Sequence, residues 1–279
     1  MSRMRVWLLM AALSVILVLI GRSFLGPQGA VVFFLIALGM NFFTYYYSDK
    51  IAIKMTRSRP LSRSEAPEIY AMIERLSQRA GLPVPRVYLT PSSQPNAFAT
   101  GRNPQNAAVA VTEGLLHLLD RAEVEGVLAH ELAHIQNRDT LTGAIAATLA
   151  GAVTMIADML RWGFIFGVGR DDEERGNPLA ALVLAIVAPL AALLIQMAIS
   201  RAGEFNADAT GARIAGRADG LASALLKLEQ AARRVPMEVN PATSHLFIVN
   251  PLSGESFARL FSTHPPVSER VRRLRALAL

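Results

Sequence analysis

Two histidines and a glutamate near the middle of this 279-residue chain have the spacing of a hydrolytic metal site, in His130-Glu131-Leu132-Ala133-His134. On a helix, residues four apart lie one above the other on the same face, so His130 and His134 can bind one metal ion. Glu131 follows the first histidine directly and can reach a water on that metal as its general base. The stretch therefore predicts a zinc hydrolase.

The alternative interpretation is a surface helix whose histidines are incidental. Apolar residues around the motif argue against it, because their helical spacing predicts a packed helix over residues 122–137. These residues are Val124, Val127, Leu128, Leu132 and Ile135. The chain has no cysteine, which leaves imidazole and carboxylate groups as the ligands and favours a catalytic over a structural zinc.

A catalytic zinc has three protein ligands and an open position, so a third ligand must be found. Glu204 is the strongest candidate, with an ordinary solvated helix face as the alternative. It follows the last of four apolar stretches, and His134 lies about 9 Å of helix before the third. Asp208, one turn after Glu204, is predicted to hydrogen-bond the far nitrogen of a ligand histidine. Asp139 is a weaker candidate for orienting the motif helix.

Four apolar stretches are long enough to predict membrane spans, in a chain with 52% apolar and 18% charged residues. They are Val6–Gly21, Ser23–Ser48, Thr140–Ala157 and Gly176–Ser200. The first is short, and a cleaved signal peptide is the alternative interpretation for it. A second apolar stretch follows at once, and no small-residue cleavage site precedes Gly26, so we expect a retained span.

The basic residues predict the orientation in the membrane. Of the 28 lysines and arginines, 11 lie in residues 49–139 and 11 in residues 201–279. The positive-inside rule then assigns these segments and both termini to the cytoplasm, and the acidic loop with Asp171 and Glu174 to the outside. Although the net charge is +6, no stacking aromatic residues are interleaved with the basic ones, so nucleic-acid binding is not expected.

The chain is thus predicted to be mainly α with a small β-sheet, in a four-span integral membrane protein. Residues 1–48 would form two spans, 49–139 and 201–279 the two parts of one cytoplasmic domain, and 140–200 the other spans. A capping-box signature at Ser62 and Glu65 precedes a predicted helix. Strands are predicted at 86–90, 95–101 and 107–112, further helices at 113–119, 221–234 and 267–277, and irregular structure at 235–263.

Several motifs together resemble the HtpX-type membrane metalloproteases, relatives of the CAAX prenyl proteases among the gluzincins. The resemblance covers nearly the whole chain. Its motifs are Pro95-Asn96-Ala97-Phe98, His130–His134 with Asn137-Arg138-Asp139, Glu204–Asp208, and Thr263-His264-Pro265-Pro266 with Arg270. It implies a cytoplasmic gluzincin-like endopeptidase domain with one zinc per chain, bound by His130, His134 and Glu204. Glu131 would be the base, and Asp208 would support a ligand.

The resemblance also implies roles for residues outside the motif helix. His264 and Arg270 would stabilise the oxyanion of the tetrahedral intermediate. Asn96, Ala97, Phe98 and Ala99 would form an active-site edge strand that pairs with an extended peptide. The family is associated with quality control in bacterial inner membranes, which implies unfolded or misfolded membrane proteins as substrates and the lipid bilayer as surroundings.

Two other functions remain open at this point. A prenyl-protein endopeptidase would use the same chemistry on a lipidated substrate, although that class tends to have more spans around a chamber. A membrane scaffold with a structural zinc would need a fourth protein ligand and would have no use for Glu131.

Overall fold

The computed structural model describes residues 2–143, 145, 201–234, 247–249 and 265–279. Most of the predicted third span, all of the fourth, the loop between them, and the predicted site residue His264 lie outside the described residues. Within them the chain is mainly helical with one small mixed sheet, as the sequence predicts.

The N-terminal helix α1, Ser2–Met55, is a hairpin of two arms that meet at Gly26. Gly26 has a φ of 66°, a left-handed conformation that favours glycine, and there the chain turns back on itself. Asn41 Nδ2 donates to the Met10 carbonyl oxygen at 3.2 Å, which fixes the two arms side by side. Among the described residues, one helix has the length and composition to cross a membrane, Leu25–Met55, and the apolar segment Val6–Arg22 is shorter.

The sheet has the strand order β1-β2-β4-β3. β2 and β4 are parallel and the other two pairs are antiparallel, with Phe98 of β3 opposite Ala110 of β4. The strands are β1 Arg59–Pro60, β2 Arg86–Thr90, β3 Ala97–Thr100 and β4 Ala108–Thr112. The three predicted strands are thus confirmed. In the described part of the chain, β3 lies at the edge of the sheet.

The helices that follow α1 among the described residues include α2 Pro67–Ala80, α3 Glu113–Leu118, α4 Arg121–Asn137, α5 Arg201–Ala215, α6 Asp219–Arg234 and α7 Val267–Arg275. The motif helix α4 is the central one. It packs against α2, α5, α6 and β3, and the predicted apolar stripe on it is buried.

The start of α4 is fixed by a capping box that the sequence analysis missed. Asp120 Oδ1 accepts from the Glu123 N–H at 2.9 Å, and Glu123 Oε2 accepts from the Asp120 N–H at 2.9 Å. Burial acts to raise the pKa of Glu123, but hydrogen bonds from Lys227 and Ser223 of α6 bring it below its usual value. By contrast, Ser62 and Glu65 bond each other in a turn ahead of α2, which begins only at Pro67.

Gly211 of α5 lets that helix approach the metal-motif helix closely. A Cβ atom at Gly211 would lie 2.9 Å from both the backbone nitrogen and the Cα of His130. Such a contact is shorter than van der Waals packing permits, and backbone cannot swing aside. The separation between α4 and α5 therefore depends on the absence of a side chain here.

We expect Gly211→Ala to separate α5 from α4 and to destabilise the protein by about 1–3 kcal/mol, as overpacked cores do. The same variant should bind zinc more weakly, because Glu204 moves with α5. Thermal unfolding and zinc competition with a chelator measure the two effects. Gly39→Ala is the matched control, since a Cβ there meets no atom within 4 Å. Equal stability of the two variants would contradict the prediction.

Candidate metal centre

Helix α4 brings the two motif histidines together as the spacing predicts. The Nε2 atoms of His130 and His134 are 3.1 Å apart, and their rings are nearly perpendicular. His130 is buried, whereas 18% of the His134 side chain is exposed. The pair is therefore reachable from the His134 side.

Glu204 of α5 completes the group. Its Oε2 lies 3.9 Å from His130 Nε2, and its Oε1 lies 3.5 Å from His134 Nε2. Ligand atoms of His130, His134 and Glu204 all fall within 4.8 Å of one another, so they could hold one metal ion. Ligand atoms around a tetrahedral zinc are about 3.3 Å apart for bonds of about 2.0 Å, and the observed separations fit that spacing.

A carboxylate lies beside the other ring nitrogen of each histidine. Asp208 Oδ1 is 3.1 Å from His130 Nδ1, and Asp139 Oδ2 is 3.6 Å from His134 Nδ1. A carboxylate in this position holds the proton on Nδ1 and leaves Nε2 free to bind a metal. Asp208 thus lies beside the far nitrogen of His130, the position expected for it, whereas Asp139, expected to orient the motif helix, lies beside the second histidine.

Arg270 enters the site from α7 as a buried cation. Its Nε and Nη2 donate to the two carboxylate oxygens of Asp208 at 2.8 and 2.7 Å, and its Nη1 is 3.5 Å from Glu204 Oε2. Burial acts to raise the pKa of Asp208, but the charge and hydrogen bonds of Arg270 bring it down to about 2. Asp208 therefore stays ionised next to His130.

The titrating groups of the site have pKa values far from their usual ones. Burial lowers the pKa of His130 to about 4 and raises that of Glu131 to about 7. Burial would also lower the pKa of His134, but Asp139 and the charges of Glu204 and Glu131 raise it to about 9. Negative charge that attracts a proton to His134 also attracts a metal cation, with which that proton would compete.

The predicted edge strand lies against the metal-motif helix. Helix α4 packs against β3, and the Ala99 backbone acts to lower the pKa of Glu131, which puts the candidate base near this strand. Asn96 precedes β3 with its side chain buried, and Ala97, Phe98 and Ala99 are buried as well. One contact was missed by the sequence analysis: Asn96 bonds the backbone of Val249, in a segment predicted to be irregular. The apolar run Leu246–Val249 was the available signal for an extended segment.

The fold and the site together fit a metallopeptidase with an HExxH helix, in which Glu204 is placed where a third ligand could bind the ion. The family description "Peptidase family M48" matches residues 63–278. The chain therefore belongs to peptidase family M48.

Relatives over the full length agree with this assignment. The chain is 67% identical to a protease HtpX homolog of Pelotomaculum thermopropionicum, covering 100% of both chains. It is 53% identical to a protease HtpX homolog of Thermococcus kodakarensis, covering 99% of this chain and 96% of the relative. The crystal structure of S. mikatae Ste24p has a similar fold, with a TM-score of 0.53 at 19% identity, over 95% of this chain and 62% of that one.

These findings and the apolar arm Leu25–Met55 indicate a membrane-associated zinc metalloprotease, a hydrolase that acts on proteins. The functional class expected from the sequence is thereby confirmed. The scaffold alternative, with its structural zinc, is set aside.

Loss of the carboxylate beside His130 should weaken metal binding. We expect Asp208→Ala to lower zinc affinity about 10- to 100-fold, because His130 loses the partner that orients it. Competition against a fluorescent chelator measures this without any substrate. Asp219→Ala is the control, because that aspartate is exposed on α6 and pairs with Arg217. Equal zinc affinities in the two variants would count against the role given to Asp208.

Proposed function

We propose that this zinc metalloprotease is an endopeptidase that cleaves unfolded or damaged membrane proteins at the cytoplasmic face of a bacterial inner membrane. The observation that carries the proposal is the direct connection between the candidate metal site and the apolar hairpin α1. Asp139, beside His134, begins a helical segment over residues 139–143. Leu141 of that segment packs with Val6 and Leu9 of α1. A peptide leaving the bilayer beside the hairpin would meet the site directly.

His130, His134 and Glu204 would hold the zinc ion, and Glu131 would be the general base. A zinc ion held there would supply Lewis acidity toward a water molecule and the scissile carbonyl group. Glu131 takes up a proton on its carboxylate and later gives it to the leaving amide nitrogen. Its buried position on α4, which packs against β3, would keep the carboxylate near the proposed peptide-binding edge.

The remaining roles concern the substrate. The edge strand from Asn96 to Ala99 would pair with an extended peptide by backbone hydrogen bonds, which makes selectivity for side chains loose. Arg270 would help stabilise the developing oxyanion, and its bidentate pair with Asp208 supports a fixed orientation. His264 is assigned the same role from its motif alone.

Among the alternatives, a prenyl-protein endopeptidase gains no support from a specific contact. The likeness to Ste24p is at 19% identity and concerns the fold alone. No described feature selects a lipidated substrate over an unmodified peptide, so the endopeptidase proposal is the simpler one.

Glu131→Gln should abolish cleavage of an unfolded model protein while zinc stays bound. We expect the rate to fall by at least about 100-fold, because amide nitrogen cannot take up the proton that the carboxylate accepts. The assay uses detergent-purified protein with zinc and with a chelator. Glu125→Gln is the matched control on the same helix, since Glu125 is engaged by Arg75 away from the metal. Cleavage by the Glu131→Gln variant would contradict the mechanism.

The proposed topology predicts which residues a membrane-impermeant thiol reagent reaches. Because the chain has no cysteine, Ser64→Cys and Asp172→Cys each create a unique label site. On intact cells we expect labelling only of the Asp172→Cys variant, with Ser64→Cys labelled after permeabilisation. The reverse pattern would put the protease domain outside the cytoplasm.

A further inference from the structure

The outer edge of β3 is the place where an added strand would pair. The Thr112 N–H donates to the Asn96 carbonyl oxygen at 3.0 Å, which continues the β3–β4 pairing. Successive residues of an antiparallel strand turn their backbone groups to opposite sides. Ala97 and Ala99 therefore present theirs to the outer edge, and helix α4 packs against this strand.

The chain's own residues 247–249 lie on this edge, with the backbone groups of Ile248 and Val249 hydrogen-bonded. The Ile248 N–H donates to the Ala97 carbonyl oxygen at 3.1 Å, and the Ile248 carbonyl oxygen accepts from Arg270 Nη1 at 3.1 Å. Asn96 Nδ2 donates to the Val249 carbonyl oxygen at 2.9 Å. The groups that hold this segment are those expected to hold a substrate: the edge strand and Arg270.

The side chains of the segment are buried. The Phe247 ring lies 5.3 Å from the Phe98 ring in an edge-on contact, in a cluster with Ala52 and Ala110. Ile248 and Val249 belong instead to the main core cluster. Phe247 is 0% exposed, so the pocket that it fills is closed to solvent.

We propose that Phe247, Ile248 and Val249 occupy the peptide-binding edge as an internal ligand and thereby mark the substrate class. That class is an extended peptide of consecutive apolar residues, with an aromatic or large aliphatic side chain in the pocket of Phe247. The proposal rests on the proposed peptidase function. The substrate and residues 247–249 would use the same hydrogen-bonding groups of Ala97 and Arg270. A substrate must therefore displace the segment before it can bind.

Displacement makes the site selective by competition. Residues 247–249 are part of the same chain, so their effective concentration at the edge of β3 is high. The apparent affinity for a free peptide is therefore reduced by the fraction of molecules in which this edge is occupied. Polar loops of folded proteins would compete poorly with residues 247–249, because the surroundings of this segment are apolar. Apolar segments from unfolded membrane proteins can replace all the contacts of residues 247–249.

The first experiment measures binding without catalysis. A fluorescent peptide with the sequence of residues 246–251, which omits His245 so that it cannot bind zinc, is titrated into the full zinc-loaded chain carrying Glu131→Gln. Adding Ile248→Pro removes the N–H that Ala97 accepts, and adding Phe247→Ala instead empties the pocket. Either change should tighten peptide binding about tenfold or more by freeing the edge.

Matched controls separate this effect from general loosening. Val84→Ala changes an exposed apolar residue before β2 and should leave peptide affinity unchanged. A peptide with serine in place of the residues equivalent to Phe247, Ile248 and Val249 should not bind any variant. If neither Ile248→Pro nor Phe247→Ala tightens binding, and both lower the melting temperature, residues 247–249 are a permanent strand and the proposal is overturned.

The second experiment measures cleavage with Glu131 intact. Both segment variants should raise kcat/KM for an apolar peptide several-fold, and the peptide of residues 246–251 should inhibit the unmodified chain competitively. One outcome is that the unmodified chain cleaves the peptide but that all variants bind it with equal affinity. This would overturn the internal-ligand proposal and leave the proposed peptidase function standing. Tighter peptide binding with no cleavage by any variant would support the internal ligand and refute the peptidase mechanism.

Discussion

The structure depends on the electrostatic balance of one buried cluster. Glu131, Glu204 and Asp208 are buried carboxyl groups, and Arg270 is the only buried guanidinium among the described residues. Metal binding requires both histidines to be neutral, and with the three carboxyl groups ionised the formal charges then leave two negative units in a region of low dielectric, where an unbalanced charge is costly. A divalent cation bound by His130, His134 and Glu204 cancels that excess. The ligand set, Asp208 and Arg270 are therefore one unit.

Packing brings this unit together from three separate stretches of the chain. The capping box at Asp120 fixes where α4 begins, and Gly211 lets α5 lie close enough for Glu204 to reach the histidines. Arg270 then ties α7 to α5 through Asp208. The catalytic geometry thus follows from backbone contacts at small residues and from a buried ion pair.

The sequence predicted the parts of the site that local spacing determines. His130 and His134 share a face because helices repeat every 3.6 residues. Glu204 was predicted as a ligand because it directly follows the fourth predicted span, just as His134 directly precedes the third. The strands followed from alternation. The pairing of Asp208 with Arg270, 62 residues later, and the attachment of Ile248 to Ala97 join distant segments, and no local pattern encodes such contacts. The sequence predicted two consecutive apolar helices with a break at residue 22, whereas the structure puts the turn at Gly26, inside the predicted second span.

The joint at Arg138 links the metal ligands to the membrane part mechanically. Arg138 has a φ of 61° and ends α4, and the next residue, Asp139, both starts the segment that packs on the hairpin and lies beside His134. A sliding or tilting of that segment must move a carboxylate relative to a zinc ligand. By thermodynamic reciprocity, an ion bound at the candidate site would resist such movement, and the packing of this segment on the hairpin would in turn affect ion binding.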